Sequence, residues 1–136
     1  MSHLWYHCQS SARKFGGIPE DYIQIHQWFD ETKELFADFR HRALRHHAHG
    51  IYECERKFGI TITNSAGKEV PVRLIGEQHV KEDCGGRIPS VQDWLSQLMP
   101  QRWMNAGYER FLENERTGRL EPLPTDPKPE TQDAWP

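Results

Sequence analysis

Apolar residues recur at helical spacing along the first part of the chain. Residues 2–15 predict a first helix, which Gly16 and Gly17 end. Pro19 suits the first turn of a second helix, which we expect to reach about Trp28. The apolar residues of the first helix fall within one broad arc of a helical wheel: Leu4, Trp5, Cys8, Ala12 and Phe15.

A third and longer helix is predicted from Asp30 to Phe58. Asp30 is a favourable N-cap residue, and apolar residues then recur at helical spacing as far as Phe58. Gly50 costs a helix about 1 kcal/mol relative to alanine, so it indicates a kink or the close approach of a neighbouring element. The core-facing stripe spans about 100° of the wheel and contains Phe36, Phe39, Ala43, His47, Gly50, Cys54 and Phe58.

After Gly59 the pattern changes from the helical period to the alternation of a strand. Residues 60–63 and 69–73 alternate in this way, and the turn-prone residues 64–67 lie between them, which predicts a β-hairpin. Pro71 cannot donate a ladder hydrogen bond, so the second strand should lie at an edge or end early. A two-stranded hairpin is marginally stable alone, so we expect it to pack on the helices.

The segment after the hairpin carries helix and loop signals in turn. Residues 74–83 predict a short helix, and residues 84–89 predict a loop because they contain adjacent glycines and a proline. Ser90 and Asp93 have the spacing of a capping box in which Asp replaces Glu. We therefore expect another helix to begin there and to stop before Pro100.

These elements predict one α+β domain that is mostly helical and carries one β-hairpin. We place this histidine-rich domain at residues 1–104, a length that can bury a core without disulfides or a metal. Residues 105–120 predict a short helix. Residues 121–136 are rich in proline and have no period, which predicts a flexible, disordered tail.

Charge and cysteine content argue against several classes of function. The net charge is −3 with histidine neutral, which argues against nucleic-acid binding through a basic surface. The three cysteines are far apart and form no C-x-x-C pair, which indicates a reducing compartment and argues against a cysteine-based zinc finger. No stretch approaches the roughly 20 apolar residues of a membrane span. We therefore expect a soluble, cytoplasmic protein.

Histidine is the residue type that points to chemistry. The chain has eight histidines, and four of them lie in the segment 40–50, RHRALRHHAHG. On the predicted third helix, His47 faces the core and His46 lies at the edge of the apolar stripe. His41 and His49 face solvent on the same helix. The segment therefore offers one or two side chains to a buried site.

This histidine content favours a metal site. Neutral imidazole is a common ligand for transition metals, and a site needs three or four ligands from different elements. Pairs four residues apart let one helix supply a ligand together with a second ligand or the carboxylate that orients it. Nitrogen and oxygen ligands favour zinc, or manganese or iron where carboxylates dominate. The candidate ligands are His7, His46, His47, His79 and Asp83, with His26 and Asp30 in reserve.

The coordination of the ion would decide between an enzyme and a structural site. An open position would hold a water of lowered pKa, and the domain would be a metal-dependent hydrolase. Glu53, Glu77 or Glu82 would then be the general base. A closed coordination sphere would make the ion structural.

Several motifs carry a resemblance to a known family. They are His7-x-x-Ser10-Ser11, His26-x-Trp28-Phe29-Asp30, the run RHRALRHHA at 40–48 with Gly50, Val70-Pro71-Val72-Arg73, Gly76-Glu77-Gln78-His79-Val80 with Glu82-Asp83, and Ile88-Pro89-Ser90 with Asp93-Trp94. On these residues the chain resembles small uncharacterised proteins of bacteria and their phages, classed as a domain of unknown function. The resemblance covers residues 3–104. The chain departs from the pattern of this family at Gly85-Gly86, where we expect fewer loop residues.

The resemblance implies no established activity, but it places the histidine-bearing segments in one domain and suggests a phage or mobile-element setting. Two hypotheses therefore stand. The first is a small cytoplasmic domain that binds a divalent metal, with zinc as the favoured ion, and that could act as a metal-dependent hydrolase. The alternative is a phage or mobile-element interaction or inhibitor protein in which the histidines or the metal are structural. A protein partner or a homo-oligomer is compatible with both, and a membrane partner with neither.

Overall fold

A computed structural model describes residues 2–107, 111–113 and 120–122 of the chain. It confirms the α+β class, with mostly helical structure and an antiparallel hairpin. Within these residues no helix is both long and apolar enough to span a bilayer. The helices are α1 (Ser2–Phe15), α2 (Ile23–Asp30), α3 (Arg42–Arg45), α4 (Ala48–Phe58), α5 (Val72–Asp83) and α6 (Val91–Leu95). Short 3-10 helices occupy Pro19–Tyr22, Glu31–Glu34, Phe39–His41 and Arg102–Asn105.

α1 and α2 form where the apolar spacing predicts them. α1 ends at Phe15, and Gly16 then adopts a φ of +90°, which side chains other than glycine rarely allow. The 3-10 turn that begins at Pro19 leads into α2, which continues past Trp28. This extension places the carboxylate of Asp30 at the C-terminal end of α2.

The single long helix predicted from Asp30 to Phe58 is wrong, because the chain leaves helical geometry twice. The first break covers residues 35–38. There the Asp38 carboxylate accepts a hydrogen bond from the backbone N–H of Arg40 at 2.9 Å, which caps the next helical turn. The apolar stripe drawn on a continuous helix therefore does not exist as one face.

The second break separates α3 from α4 at His46 and His47. His47 is extended, with φ −160° and ψ 174°, and its Nδ1 accepts a hydrogen bond from the backbone N–H of Gly50 at 2.9 Å. His47 is thus the N-cap of α4. A Cβ at Gly50 would overlap the carbonyl oxygen of Arg45, which confirms the close approach predicted at this glycine. This turn directs His46 into the interior.

The predicted hairpin is confirmed as β1 (Thr61–Thr63) and β2 (Glu69–Pro71). The antiparallel register pairs Thr61 with Pro71, Ile62 with Val70 and Thr63 with Glu69. Val70 is buried against the helices, as expected for a hairpin that is marginal alone. β2 ends at Pro71 and α5 begins at the next residue, so the second strand ends early, as the proline predicts.

α5 packs against α1, α2 and α4 and so touches most of the core. A Cβ at Gly76 would lie 3.2 Å from the ring of Phe29, so this glycine allows α5 to lie close to α2. The core residues come from α1, α2, α4, β2, α5 and the 3-10 turn before α2: Phe15, Tyr22, Ile25, Trp28, Phe29, Ile51, Cys54, Val70, Val72, Ile75 and Val80.

α6 begins at the predicted capping box. Ser90 Oγ accepts a hydrogen bond from the Asp93 backbone N–H at 3.0 Å, and Asp93 Oδ2 accepts one from the Ser90 backbone N–H at 2.8 Å. From α6, Trp94 Nε1 donates to the backbone carbonyl of His46 at 2.9 Å. This bond braces the turn that carries His46.

Residues 98–136 form a separate unit. Its described residues include β3 (Phe111–Glu113), which pairs antiparallel with β4 (Leu120–Pro122). The short helix predicted for residues 105–120 is therefore wrong at β3, where the backbone pairs with a second strand. β4 likewise occupies the start of the predicted tail at 121–136. Most other residues of these two segments lie outside the described part of the chain.

Replacing Gly50 with alanine tests the turn between α3 and α4. We expect Gly50→Ala to lower the free energy of unfolding by about 2–3 kcal/mol, because the new methyl group forces the Arg45 carbonyl out of place. Urea unfolding followed by circular dichroism measures the change. His49→Ala, at an exposed neighbour on α4, is the control and should stay within about 0.5 kcal/mol of the wild type. Equal stability of the two variants would contradict this account of the turn.

Candidate metal centre

Four side chains from three helical segments converge in the interior. Asp30 ends α2, His46 follows α3, and His79 and Asp83 lie four residues apart on α5. One nitrogen or oxygen atom from each lies within 4.8 Å of the other three. Both histidines are fully buried, and the side chains of Asp30 and Asp83 are only 13% and 8% exposed. We call these four residues the quartet.

The separations within the quartet suit a tetrahedral ion. Asp83 Oδ2 lies 3.0 Å from His46 Nε2 and 3.2 Å from His79 Nε2. Asp30 Oδ1 lies 3.4 Å from His79 Nε2 and 3.8 Å from His46 Nε2. Ligand atoms about 2.0–2.2 Å from a tetrahedral ion are about 3.3–3.6 Å from one another. The observed distances bracket this range, so the four atoms can reach one ion with small movements.

His79 Nε2 is buried and has no hydrogen-bond partner. Carboxylate oxygens of Asp30 and Asp83 lie within ion-pair distance of it, but neither is aligned to accept a hydrogen bond. An unsatisfied buried polar atom is uncommon and costs free energy. A histidine nitrogen that faces two carboxylates and donates to neither is in the arrangement expected when the nitrogen and both carboxylates bind the same ion.

His7 contacts the quartet from α1. Its Nδ1 lies 2.7 Å from Glu82 Oε1 and its Nε2 lies 3.1 Å from Asp83 Oδ1, while its ring stacks on His79 with the centroids 3.9 Å apart. Burial alone lowers the pKa of His7, but the hydrogen bonds to Asp83 and Glu82 outweigh burial and raise that pKa. A protonated His7 donates to both carboxylates and so holds Asp83 in place.

A buried chain of hydrogen bonds supports His79 on its other ring nitrogen. His79 Nδ1 lies 2.9 Å from His26 Nδ1, His26 Nε2 lies 2.7 Å from Ser11 Oγ, and Ser11 Oγ donates to Gln78 Oε1 at 2.7 Å. One proton must lie between the two Nδ1 atoms. If His79 carries it, His26 accepts it and donates through Nε2 to Ser11, so every donor has an acceptor. This arrangement leaves His79 Nε2 unprotonated, which is the form that binds a metal.

The environment of the quartet favours the charge states that metal binding needs. Burial lowers the pKa of His46 to about 4, so its ring is neutral at pH 7. Burial alone would raise the pKa of Asp83, but hydrogen bonds from His46 and His7 outweigh burial and hold that pKa far below its usual range. The ionised carboxylates are ready to coordinate, and neutral His46 can do so once the proton that its Nε2 donates to Asp83 moves to Nδ1, which is buried without a hydrogen-bond partner.

A cavity of about 180 Å³ opens beside the two carboxylates of the quartet. Asp30 and Asp83 line it, together with the basic side chains of Lys33 and Arg42 and the imidazole of His41. An ion between the four ligand atoms would therefore be reached from the carboxylate side. The geometry leaves room there for water or for part of a substrate.

His41 is buried, with 2% of its surface exposed, so the prediction that it faces solvent is wrong. The broken helix is the reason, because it turns this residue toward the cavity. His41 Nδ1 lies 2.8 Å from Thr32 Oγ1, and the Thr32 hydroxyl is placed to donate to the backbone carbonyl of His41 at 3.3 Å. Nδ1 is then the donor to Thr32, and Nε2 can accept a proton. Burial lowers the pKa of His41, so the ring is neutral at pH 7.

The structure brings four of the five predicted ligands together: His7, His46, His79 and Asp83. His47 lies apart from them, because its Nδ1 caps α4. The reserve residues His26 and Asp30 both lie in the cluster. The signal that points to them is the repeated spacing of four between a histidine and an aspartate, on α2 and again on α5.

The three predicted general bases lie in different places. Glu82 touches the centre, but its carboxylate accepts hydrogen bonds from His7 and from other side chains of α1 and α5. Glu53 and Glu77 lie on helix surfaces and pair with basic side chains of their own helices at 3.2 Å and 2.8 Å. None of the three lines the cavity beside the quartet. The imidazole of His41 does line this cavity, although the sequence pattern did not predict it.

The hydrogen-bond chain behind His79 can be tested in the metal-free protein. Ser11→Ala removes the hydroxyl that links His26 Nε2 to Gln78 Oε1 and leaves both atoms buried without that partner. We expect the free energy of unfolding to fall by about 1–3 kcal/mol in chelator-treated protein, measured by urea unfolding. Ser96→Ala, at an exposed serine after α6, is the matched control and should be nearly neutral. An unchanged free energy of unfolding in Ser11→Ala would show that this chain of hydrogen bonds contributes nothing to stability.

Comparison with known proteins adds a family to this geometry. A family described as a domain of unknown function, DUF6915, matches residues 2–104. The matched range contains the whole quartet, His7, His26 and the residues that line the cavity. No curated protein and no solved structure gives a significant match. The chain therefore belongs to the DUF6915 family.

Proposed function

We propose that this domain binds one divalent metal ion between Asp30, His46, His79 and Asp83. The observation that carries the proposal is the buried Nε2 of His79, which makes no hydrogen bond and faces oxygens of Asp30 and Asp83. A second histidine nitrogen and the separations within the quartet complete a four-ligand site. His7, His26 and Glu82 then orient the ligands from outside the coordination sphere.

Zinc is the ion that this donor set favours most. Two imidazole nitrogens and two carboxylate oxygens are borderline ligands that zinc accepts in tetrahedral geometry. Manganese and iron accept the same ligands, with a preference for more oxygen donors and a higher coordination number. The described part of the chain offers no cysteine at the centre, which weakens the case for copper.

We further propose that the ion is catalytic and that the domain is a metal-dependent hydrolase. Four side chains fill a tetrahedral site, so a catalytic water requires a fifth coordination position, and the cavity that Asp30 and Asp83 line leaves room for it. His41 lines the same cavity, and its Thr32 contact leaves Nε2 able to accept a proton. In this proposal His41 replaces the three glutamates as the general base.

Metal analysis of untagged protein tests the ion site. After chelation, reloading with zinc and gel filtration, we expect about one ion per wild-type chain by atomic emission, since the quartet provides a single set of four ligands. His79→Gln and Asp83→Asn should each lose most of the ion. His49→Gln changes an exposed histidine on α4 and should retain it.

Two results would count against the ion site. A wild-type chain without stoichiometric zinc, manganese or iron after supplementation would contradict it. The alternative hypothesis, an interaction protein whose histidines are purely structural, predicts this absence of metal. Equal metal contents in His79→Gln and His49→Gln would place the ion elsewhere.

Metal removal should destabilise the protein in a way that depends on the quartet. An ion that binds the folded chain at about 100 times its dissociation constant stabilises it by about 2.7 kcal/mol. A chelator should therefore lower the thermal unfolding midpoint of the zinc-loaded wild type, measured by calorimetry. The same treatment should leave Asp83→Asn almost unchanged. A wild-type midpoint that does not respond to zinc or chelator would contradict binding to the folded state.

A further inference from the structure

We propose that the site acts on a phosphate ester that carries an aromatic ring, the chemistry of a nucleotide. This inference rests on the proposed metal site and adds the substrate class. The phosphoryl group would occupy the 180 Å³ cavity beside the quartet, and the ring would occupy an adjoining cavity of about 330 Å³. The two cavities share Phe39, Arg42 and Asp83 in their walls.

Charge around the smaller cavity selects an anion once the ion is present. Its three carboxylates are already engaged: Asp30 and Asp83 belong to the quartet, and Asp38 pairs with Arg40 at 2.6 Å. The side chains of Lys33 and Arg42 and the ion itself are then the charges available to a ligand. Without the ion, the three carboxylates outnumber the two basic groups. Phosphate binding should therefore require the metal.

Arg42 is fixed in a position that suits a phosphoryl group. Its Nη1 donates to the backbone carbonyl of Asp83 at 3.0 Å, and its Nη2 stays 4.0 Å from Asp83 Oδ1. Its Nε is buried and has no hydrogen-bond partner. A guanidinium held by one nitrogen, with further donors unused, can bind two oxygens of a phosphate. Arg42 would thus bridge the phosphoryl group and the adjoining cavity.

The larger cavity has the walls expected for a flat ring. Phe39 and Trp94 provide aromatic surfaces, and the buried Pro89 adds an apolar one. The indole of Trp94 is fixed, because its Nε1 donates to the His46 backbone carbonyl. Phe39 is 65% exposed, so its ring is accessible to a ligand. Aromatic side chains stack readily on nucleobases, whose faces suit them without regard to base identity.

The reaction that these groups support is hydrolysis of the phosphate ester. The ion would supply a water of lowered pKa, His41 Nε2 would accept one proton from that water, and the water oxygen would form a bond to phosphorus. The bond between phosphorus and the ester oxygen breaks, and its electron pair stays on that oxygen. The proton held by His41 passes to the leaving oxygen. One water is consumed, and an alcohol and inorganic phosphate are formed.

Binding and turnover of adenosine 5′-monophosphate by the zinc-loaded protein test this inference. We expect the nucleotide to bind more tightly than adenosine or inorganic phosphate in calorimetric titrations, to lose affinity when the ion is removed, and to release phosphate on incubation. Arg42→Gln should weaken nucleotide binding at least tenfold while it keeps its zinc. Arg56→Gln, on the exposed face of α4, is the matched control and should bind as the wild type does.

Phe39→Ala provides a test that does not disturb the buried site, since Phe39 is an exposed side chain. It should weaken nucleotide binding much more than the binding of inorganic phosphate, because the ring of Phe39 stacks on the nucleobase and makes no polar contact with the phosphoryl group. Zinc-loaded wild-type protein that neither binds the nucleotide nor releases phosphate would overturn the substrate class and leave the metal site standing. Full nucleotide affinity in zinc-bearing Arg42→Gln or in Phe39→Ala would overturn it as well. Absence of zinc from the wild type would overturn both proposals.

Discussion

The carboxylate of Asp83 is the group on which the buried centre depends. Its Oδ1 meets His7 from α1, and its Oδ2 meets His46 and His79. A carboxylate with 8% exposure is stable only where charge and hydrogen bonds compensate for lost hydration. Three helical segments, α1, the turn after α3, and α5, are thereby tied to one ionised group, so the helix packing and the electrostatics of the centre cannot be changed separately. A metal ion would take over part of this compensation.

Local signals predict much of the fold. α1 follows from apolar spacing ended by two glycines, the β-hairpin from alternation around a turn, and α6 from the Ser90 and Asp93 box. The prediction of a long third helix failed because the apolar spacing continues across both of its interruptions. A histidine, His47, caps α4, and Asp38 caps a turn that the apolar spacing ran across. The apolar period does not show where a side chain will accept a backbone hydrogen bond and so begin a new helix.

The site was predictable where both partners share a helix. His79 and Asp83 follow from spacing alone, since residues four apart on α5 lie on one face. His7 and His46 were candidates, but only tertiary packing brings them to Asp83. The role of His41 could not be predicted, because it depends on the break before α3. The spacing of four on α2 indicates that Asp30 lies on one helix face with His26. The contact between α2 and α5 then brings Asp30 to His79 and Asp83.

X-ray absorption spectroscopy of the zinc-loaded, untagged protein tests the central claim most directly. It measures the number and type of ligand atoms and recognises imidazole by its outer-shell scattering. The account predicts nitrogen and oxygen ligands at about 2.0–2.2 Å, with two imidazoles in the wild type and one in His46→Gln or His79→Gln. A spectrum without imidazole scattering, or one that is the same in all three proteins, would contradict it.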